Sequence, residues 1–288
     1  MRKNLKLIRT LSLLMLLLVT SCKDSSRDGS SVNQNQSDYY RIVREGKIRV
    51  GYISYPPSFI HDPNTNQFSG IFHEVLQEIG RRAQLKIEYT EEVGWGTMIE
   101  AIQTNKVDII CTGVWPTIER GKQINFTSPL YYSVIKAYTR YGNNNLDGDI
   151  AKLNSSEFSV SAIDGEMTSI IANSDFPKAK LASLPQTTDI SQLLLEVANG
   201  KADATFAEPA VAGAFMASNP NKIKEIQKIE PLRIFPNTMI VGKSNYELLS
   251  TLNIALEELH NNGFIEQVVN KYEKYPNSFY RVANLYRK

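Results

Sequence analysis

Apolar positions along the first third of the chain follow two spacings, one typical of strands and one typical of helices. Residues 47–53 alternate between apolar and polar, whereas residues 71–84 place Ile, Val, Phe and Leu on one helical face. A second strand-like stretch covers residues 85–92, a short helical pattern covers 96–105, and an apolar stretch covers 106–113. This order predicts an open, largely parallel sheet with helices on its faces.

The same order of strands and helices recurs between residues 158 and 218, after a polar segment at 140–157. One more strand at 237–243 and two helices within 245–272, separated at Gly263, complete the pattern. Two such units predict two α/β lobes with a cleft between them. Ligands of open α/β sheets bind beyond the carboxyl ends of the strands, where helix N-termini also point.

Two residues of opposite charge occupy matching places in the two units. Arg120 lies shortly after the strand-like segment KVDIICTG, and Glu208 directly follows KADATFA, which resembles it. A guanidinium binds a carboxylate through two parallel hydrogen bonds, and a carboxylate accepts hydrogen bonds from an ammonium group. Two simpler interpretations stay open. Arg120 could be a surface arginine that lies over Phe126, and Glu208 could simply be a carboxylate in the first turn of a helix, stabilised there by the helix dipole.

The beginning of the chain is typical of an exported protein. Residues 1–10 are basic, residues 11–20 are apolar, and residues 18–22 read LVTSC. We expect a signal peptide over 1–21, since the apolar run is shorter than the roughly 20 residues that span a bilayer. LVTSC resembles a lipobox, which predicts lipidation of Cys22 and anchoring on an extracytoplasmic membrane face. Ordinary cleavage nearby is the alternative. Residues 22–38 are polar and predict a flexible tether.

Composition and motifs exclude several classes of function. The leader holds four of the 32 basic side chains and none of the 30 acidic ones, so the remaining chain is near neutral and nucleic acid is not an expected partner. Cys111 is the only other thiol, which rules out a disulfide framework once Cys22 is acylated. The common zinc, hydrolase and phosphate-loop motifs are absent, so no metal, cofactor or enzymatic activity is expected.

Five segments in this order resemble the family 3 extracellular solute-binding proteins, the polar amino acid receptors of ABC importers. The resemblance covers about residues 46–276 and is carried by KIRVGYISYPPSF, FSGIFHEVLQEIG, AIQTNKVDIICTGVWPTIERGKQINFTSPLYYS, GKADATFAEPAVA and NGFIEQVVNKY. It implies an α/β, type II periplasmic binding protein fold whose two lobes are joined by crossover hinge strands. Lobe one would comprise residues 39–138 and 238–288, and lobe two would comprise 139–237.

The resemblance also implies a function. Such a protein captures an amino acid or a related small zwitterion between its lobes and delivers it to the membrane subunits of an ABC importer. It is expected to act as a monomer, held at the cell envelope by the lipid anchor.

The family's ligand contacts map onto this sequence residue by residue. Arg120, with Thr117 in the pattern T-x-x-R, would bind the ligand's carboxylate, and Glu208 would bind its ammonium group. The other implied contacts come from the end of the third strand, from the turn before the first helix of lobe two, and from pocket aromatics. These residues are Thr112, Gly113, Gly165, Glu166, Met167, Thr168, Tyr55 and Trp95.

Two positions depart from the family pattern and leave the ligand open. Trp115 stands where many members carry a small hydroxyl residue, so its indole either forms a pocket wall or fills the space of a larger ligand. Trp95 likewise belongs either to the pocket or to the core. Glu166 and Met167 replace a pair of small residues, and Glu166 either contacts a cationic side chain or only caps its helix.

Two other functions remain as alternatives. Some members of this fold superfamily are cyclohexadienyl-type dehydratases, in which Glu208 or Glu166 would act as general acid or base. A sensor domain that acts on a kinase or cyclase is the third hypothesis, although the sequence shows no second membrane segment before Lys288.

Overall fold

The structure is a computed structural model of the 288-residue chain, and it describes residues 38–185 and 188–282. Its strands are β1 (Lys47–Tyr52), β2 (Ile60–Asp62), β3 (Gln67–Ser69), β4 (Lys86–Glu92), β5 (Ile109–Val114), β6 (Ile124–Phe126), β7 (Tyr131–Arg140), β8 (Ser159–Ile163), β9 (Lys180–Leu184), β10 (Ala204–Ala207), β11 (Ile223–Glu225), β12 (Arg233–Gly242) and β13 (Phe279–Tyr280). Its α-helices are α1 (Asp38–Glu45), α2 (Ile71–Ala83), α3 (Met98–Gln103), α4 (Ile118–Gly121), α5 (Met167–Asp175), α6 (Ser191–Ala198), α7 (Pro209–Ser218), α8 (Tyr246–Asn261) and α9 (Phe264–Tyr272).

Most strands form one mixed sheet, in the order β4-β1-β5-β12-β7-β10-β8-β9, while β2 and β3 form a separate hairpin. At one end of the sheet β4, β1 and β5 run parallel. At the other end β10, β8 and β9 run parallel. The two parallel groups correspond to the two repeated patterns of the sequence, so the predicted strand–helix alternation is confirmed in both.

Two ten-residue strands, β7 and β12, connect the two parallel groups. They pair with each other in antiparallel fashion between residues 131–135 and 233–237. Beyond this ribbon, β12 continues beside β5 and β7 continues beside β10. Each strand therefore belongs to both halves of the sheet, as crossover hinge strands do. The lobe boundaries expected after residues 138 and 237 fall within these two strands and stay a prediction.

Helix α2 shows why the hydropathy pattern predicted the first half so well. Its buried side chains recur at spacings of three and four residues and so form one apolar stripe facing β1 and β5: Ile71, Phe72, Val75, Leu76 and Ile79. The helix ends at Ala83, and the left-handed backbone of Gln84 lets the N–H of Leu85 donate to the carbonyl of Gly80 at 2.8 Å. Because β1 and β5 pair in parallel, their carboxyl ends lie at one edge of the sheet.

The resemblance between the segments KVDIICT and KADATFA corresponds to equivalent contacts in the two halves. Asp108, just before β5, accepts a hydrogen bond from the backbone N–H of Arg49 in β1 at 2.8 Å. Asp203, just before β10, accepts one from the backbone N–H of Ser159 in β8 at 2.8 Å. Asp108 also binds two guanidinium groups, those of Arg41 and, at 2.6 Å, Arg49. Both aspartates fix neighbouring parallel strands at the edge opposite the cleft.

Replacing Asp108 by alanine is expected to lower the free energy of unfolding by about 3 kcal/mol, because its carboxylate is buried and two arginines would lose their partner. The matched variant Asp203→Ala should lower it by only about 1–2 kcal/mol, since Asp203 is held by neutral donors from Ser159. Urea unfolding followed by circular dichroism measures both values. Equal losses would show that the ion pairs of Asp108 add nothing.

Several elements differ from those that the sequence pattern predicted. Helix α1 begins at the end of the expected tether and buries one side chain, Ile42. The hairpin of β2 and β3 lies between the predicted strand at 47–53 and the predicted helix at 71–84, where the sequence pattern predicted neither strand nor helix. Strand β12 begins four residues earlier than the predicted strand at 237–243.

In the described ranges, 38–185 and 188–282, no helix has the length and apolar character needed to cross a bilayer. The expected signal peptide, the lipidation of Cys22 and nearly all of the tether lie outside those ranges.

Candidate ligand-binding site

A direct hydrogen bond joins the two halves of the molecule at the carboxyl edge of the sheet. The hydroxyl of Tyr55, in the turn after β1, donates to Oε2 of Glu208 at 2.6 Å. Glu208 follows β10 and precedes α7, whose first residue is Pro209. The two residues are 153 positions apart in sequence. The cleft of the predicted site is therefore narrow enough here for side chains of both lobes to meet.

The carboxylate of Glu208 is 7% exposed. Burial raises its pKa above the ordinary range, and the negative charge of Glu166 acts in the same direction. Hydrogen bonds from Ser133 and Tyr55 lower the pKa and offset part of this effect. Burial also raises the pKa of Tyr55 strongly, with the charge of Glu208 as the next cause. A buried acidic group with neutral donors is well placed to accept a cation that replaces one of them.

Arg120 lies on the short helix α4, on the lobe-one side. Its Nη1 donates to the carbonyl of Trp115 at 3.0 Å, and its backbone N–H donates to Oγ1 of Thr117 at 3.2 Å. Partial burial lowers the pKa of the guanidinium, and no described carboxylate forms an ion pair with it. Thr117 caps α4 and so orients the arginine. The other N–H groups of the guanidinium are therefore available to bind an anionic group.

Trp115 is held by the hinge strand β12. Its ring stacks on Phe235, with centroids 4.5 Å apart and planes 10° from parallel. Its Nε1 donates to Oδ1 of Asn237 at 3.1 Å, and Nδ2 of Asn237 donates to Oγ of Ser133 at 2.8 Å. These two hydrogen bonds link the indole to both hinge strands, β12 and β7. The indole also packs against the apolar cluster of lobe two.

Thr112 and Gly113 lie in β5, directly beside this chain. Thr112 is fully buried, and within the described residues its hydroxyl has no hydrogen-bond partner. A Cβ at Gly113 would lie 2.5 Å from Oδ1 of Asn237 and 3.1 Å from Oγ of Ser58. Glycine is therefore required at this position, since any side chain would displace the amide that holds Trp115.

The turn after β8 carries the residues expected to offer backbone donors. Gly165 has a φ of 72°, and Met167 and Thr168 are buried at the start of α5. Oε2 of Glu166 accepts hydrogen bonds from the Thr168 N–H at 2.9 Å and from its hydroxyl at 2.8 Å. Glu166 therefore caps its own helix, and a ligand carboxylate at the Thr168 amide would have to displace it.

Trp95 lies before α3 and is 42% exposed. Its ring contacts that of Tyr55 edge to face, with centroids 5.7 Å apart. The structure thus brings Tyr55, Trp95 and Glu208 together, and it brings Trp115 beside the hinge, whereas Arg120 contacts none of the lobe-two residues predicted for the site. The ligand-binding roles of these residues stay predictions.

Sequence reasoning missed two polar residues of the hinge, Asn237 and Ser133. Both are buried, at 2% and 0% exposure. A signal was available for Asn237, because an asparagine at the start of an otherwise apolar strand needs a partner for its amide. The sequence around Ser133 gives no such indication of a polar contact. Ser133 follows two tyrosines in a segment whose pattern indicates only the beginning of a crossover strand.

The model of the bacterial extracellular solute-binding proteins, family 3, matches residues 48–275 of this chain. The chain belongs to that family. This confirms the resemblance carried by the five sequence segments. The match spans both halves of the sheet and both hinge strands, so it covers every residue of the candidate site.

Individual family 3 proteins resemble this chain over most of its length. A probable histidine-binding protein of Campylobacter jejuni is 22% identical and covers 89% of this chain and 94% of its own length. An L-cystine-binding protein of Bacillus subtilis is 21% identical and covers 87% of each chain. The crystal structure of an ancestral amino acid-binding protein, a precursor of cyclohexadienyl dehydratase, has a TM-score of 0.69 at 24% identity and covers 83% of this chain and 100% of its own. The predicted type II periplasmic binding protein fold is confirmed.

Proposed function

We propose that this protein is the extracytoplasmic receptor of an ABC importer and binds an amino acid between its two lobes. The main support is the contact between Tyr55 and Glu208, which places an acidic group of one lobe against a donor of the other. Family 3 relatives named for histidine and cystine binding support an amino acid as the ligand class. The amino acids in these two names have different side chains. The names therefore support an amino acid as the class of ligand, without favouring one particular amino acid.

The geometry suggests how one zwitterion would engage both lobes. The ligand's carboxylate would bind the guanidinium of Arg120, which has further N–H donors besides the one that bonds the carbonyl of Trp115. The ammonium group would bind Glu208 and replace the hydroxyl of Tyr55 as donor. Lobe one is taken as residues 39–138 and 238–288, and lobe two as 139–237. The closed form then gains contacts that the open form lacks, and this difference in affinity shifts the population toward closure.

A thermal-shift screen of the purified protein against the twenty amino acids tests this function. A ligand that binds only the folded state raises the melting temperature by mass action. We expect at least one amino acid to raise it in a saturable manner, without being consumed. The absence of a shift with every amino acid contradicts the proposal. Turnover of prephenate or arogenate would favour the dehydratase function instead.

The proposal includes a monomeric protein held at the membrane by a lipid on Cys22, with a signal peptide over 1–21 and a tether over 22–38. We expect Cys22→Ser to yield a protein that still binds its ligand but no longer partitions with membranes. Cell fractionation followed by immunoblotting measures the distribution. A Cys111→Ser variant is the matched control, because that thiol is buried in β5. Membrane association of the Cys22→Ser protein would contradict the anchor.

A further inference from the structure

Two carboxylates lie beyond the ends of neighbouring parallel strands in lobe two. Strands β8 and β10 are adjacent, with Val160 opposite Ala204. Four positions after Val160 and Ala204 come Asp164 and Glu208, each directly past the end of its strand. Glu166 follows Asp164 in the turn before α5. Since parallel strands end at the same edge of a sheet, Glu166 and Glu208 lie close together at the cleft. The pKa of Glu208 agrees with this placement, because the charge of Glu166 raises it.

Neither carboxylate has a cationic partner in the described part of the chain. Glu208 accepts a hydrogen bond from a neutral donor, the hydroxyl of Tyr55. Glu166 uses Oε2 to accept both bonds from Thr168, which leaves Oε1 without a hydrogen bond among the described residues. Lys136 stands opposite Ala207 in the sheet, but it is bound to Glu225 at 2.9 Å. The lobe-two wall of the site is therefore negative.

A ligand with no charged side chain would leave this charge unbalanced. The ligand's carboxylate has Arg120, which forms no ion pair among the described residues. The ammonium group has Glu208. Glu166, which is partly buried, then keeps one oxygen without a hydrogen bond to any described residue. A cationic side chain of the ligand could donate a charged hydrogen bond to that oxygen, and such bonds are stronger than those between neutral groups.

We propose that the ligand is an amino acid with a cationic side chain, whose positive group is bound by Glu166. This inference rests on the proposed function and narrows it to one charge class. The ligand's net charge of +1 would then balance the site, in which two carboxylates outnumber one guanidinium. The self-capping contact of Glu166 keeps the carboxylate fixed in place, since Thr168 holds one oxygen while the other stays free.

Calorimetric titration with pairs of matched ligands tests the charge of the side chain. Arginine and citrulline have nearly the same shape but differ by one positive charge, and lysine and norleucine differ in the same sense. In at least one pair, we expect the cationic member to bind about 10- to 100-fold more tightly, the range of a charged hydrogen bond. Glu166→Gln should bring that ratio close to one, since glutamine keeps an oxygen for the Thr168 bonds.

Asp164→Asn is the matched control, because it removes the same charge from an exposed residue of the same turn. It should leave the ratio as in the unmodified protein. Equal affinity within both pairs, or tighter binding of a neutral amino acid, overturns the inference and leaves the receptor function standing. A ratio that Glu166→Gln does not change also overturns it. Failure of all amino acids to bind counts against the receptor function itself.

Discussion

Replacing Arg120 by alanine is expected to weaken amino-acid binding by about 2–5 kcal/mol, which is the range for removing one member of a desolvated charge pair. The half-buried guanidinium has no carboxylate partner among the described residues, so the ligand's carboxylate would be its only counter-charge. Without it, that carboxylate would enter the cleft unpaired. Calorimetric titration with the amino acid found in the thermal-shift screen measures the loss.

Arg120→Lys should recover only part of the affinity, because an ammonium group cannot form two parallel bonds to a carboxylate. Lys122→Ala is the control: it removes the same charge two positions away, from an exposed side chain. The control should bind normally. If both Arg120 variants also bind normally and melt at the same temperature as the unmodified protein, the arginine does not contact the ligand.

Replacing Glu208 by glutamine is expected to weaken binding by about 2–3 kcal/mol, the net value of a hydrogen bond to a charged group. In the unmodified protein, binding should tighten as the pH rises through the raised pKa of Glu208, because only the ionised carboxylate pairs with an ammonium group. Above that pKa the affinity should level off. Titration across pH in buffers of different ionisation enthalpy measures the affinity and the proton released on binding.

The same carboxyl group makes the stability of the ligand-free protein depend on pH. Burial raises the pKa of Glu208 in the folded state above its ordinary value of 4.5, so the folded state binds its proton more tightly than the unfolded state. The free energy of unfolding should therefore fall as the pH rises from 4.5 through the raised pKa. Glu208→Gln should remove this fall, while Glu157→Gln, at an exposed position of lobe two, should keep it. Identical pH profiles in all three proteins would contradict the burial of this charge.

Most of the fold was predictable because it depends on local periodicity. The apolar stripe of α2 and the alternation of apolar and polar residues in β1 each follow from the order of neighbouring residues. The similar segments KVDIICT and KADATFA show in addition that the chain has two equivalent halves. Helix α1 escaped prediction for the opposite reason. It buries only Ile42, so its charged sequence resembles the polar tether before it. The length of β12 was also missed, because its first half lies in the hinge ribbon and is only partly buried.

The candidate site was predictable as a set of residue types and not as a set of contacts. Arg120 and Glu208 could be placed at strand ends from sequence, since both follow apolar runs. The bond of Tyr55 to Glu208 joins residues 153 positions apart, and no local pattern encodes such a pairing. The capping by Glu166 is local, and sequence reasoning had already stated it as one of two alternatives. The structure shows that the capping occurs with one oxygen, which leaves the other open to a ligand.

The stacking of Trp115 on Phe235 has an optical consequence. The chain has two tryptophans, and the other, Trp95, is 42% exposed at the mouth of the cleft. Indole emission shifts to longer wavelength as water reaches the ring. A Trp95→Phe protein would report from Trp115 alone, which follows β5 of one half and packs against the apolar cluster of the other. If the lobes close on a ligand as proposed, the emission of Trp115 should change. Opening and closing could then be followed in real time by stopped-flow spectroscopy without any attached dye.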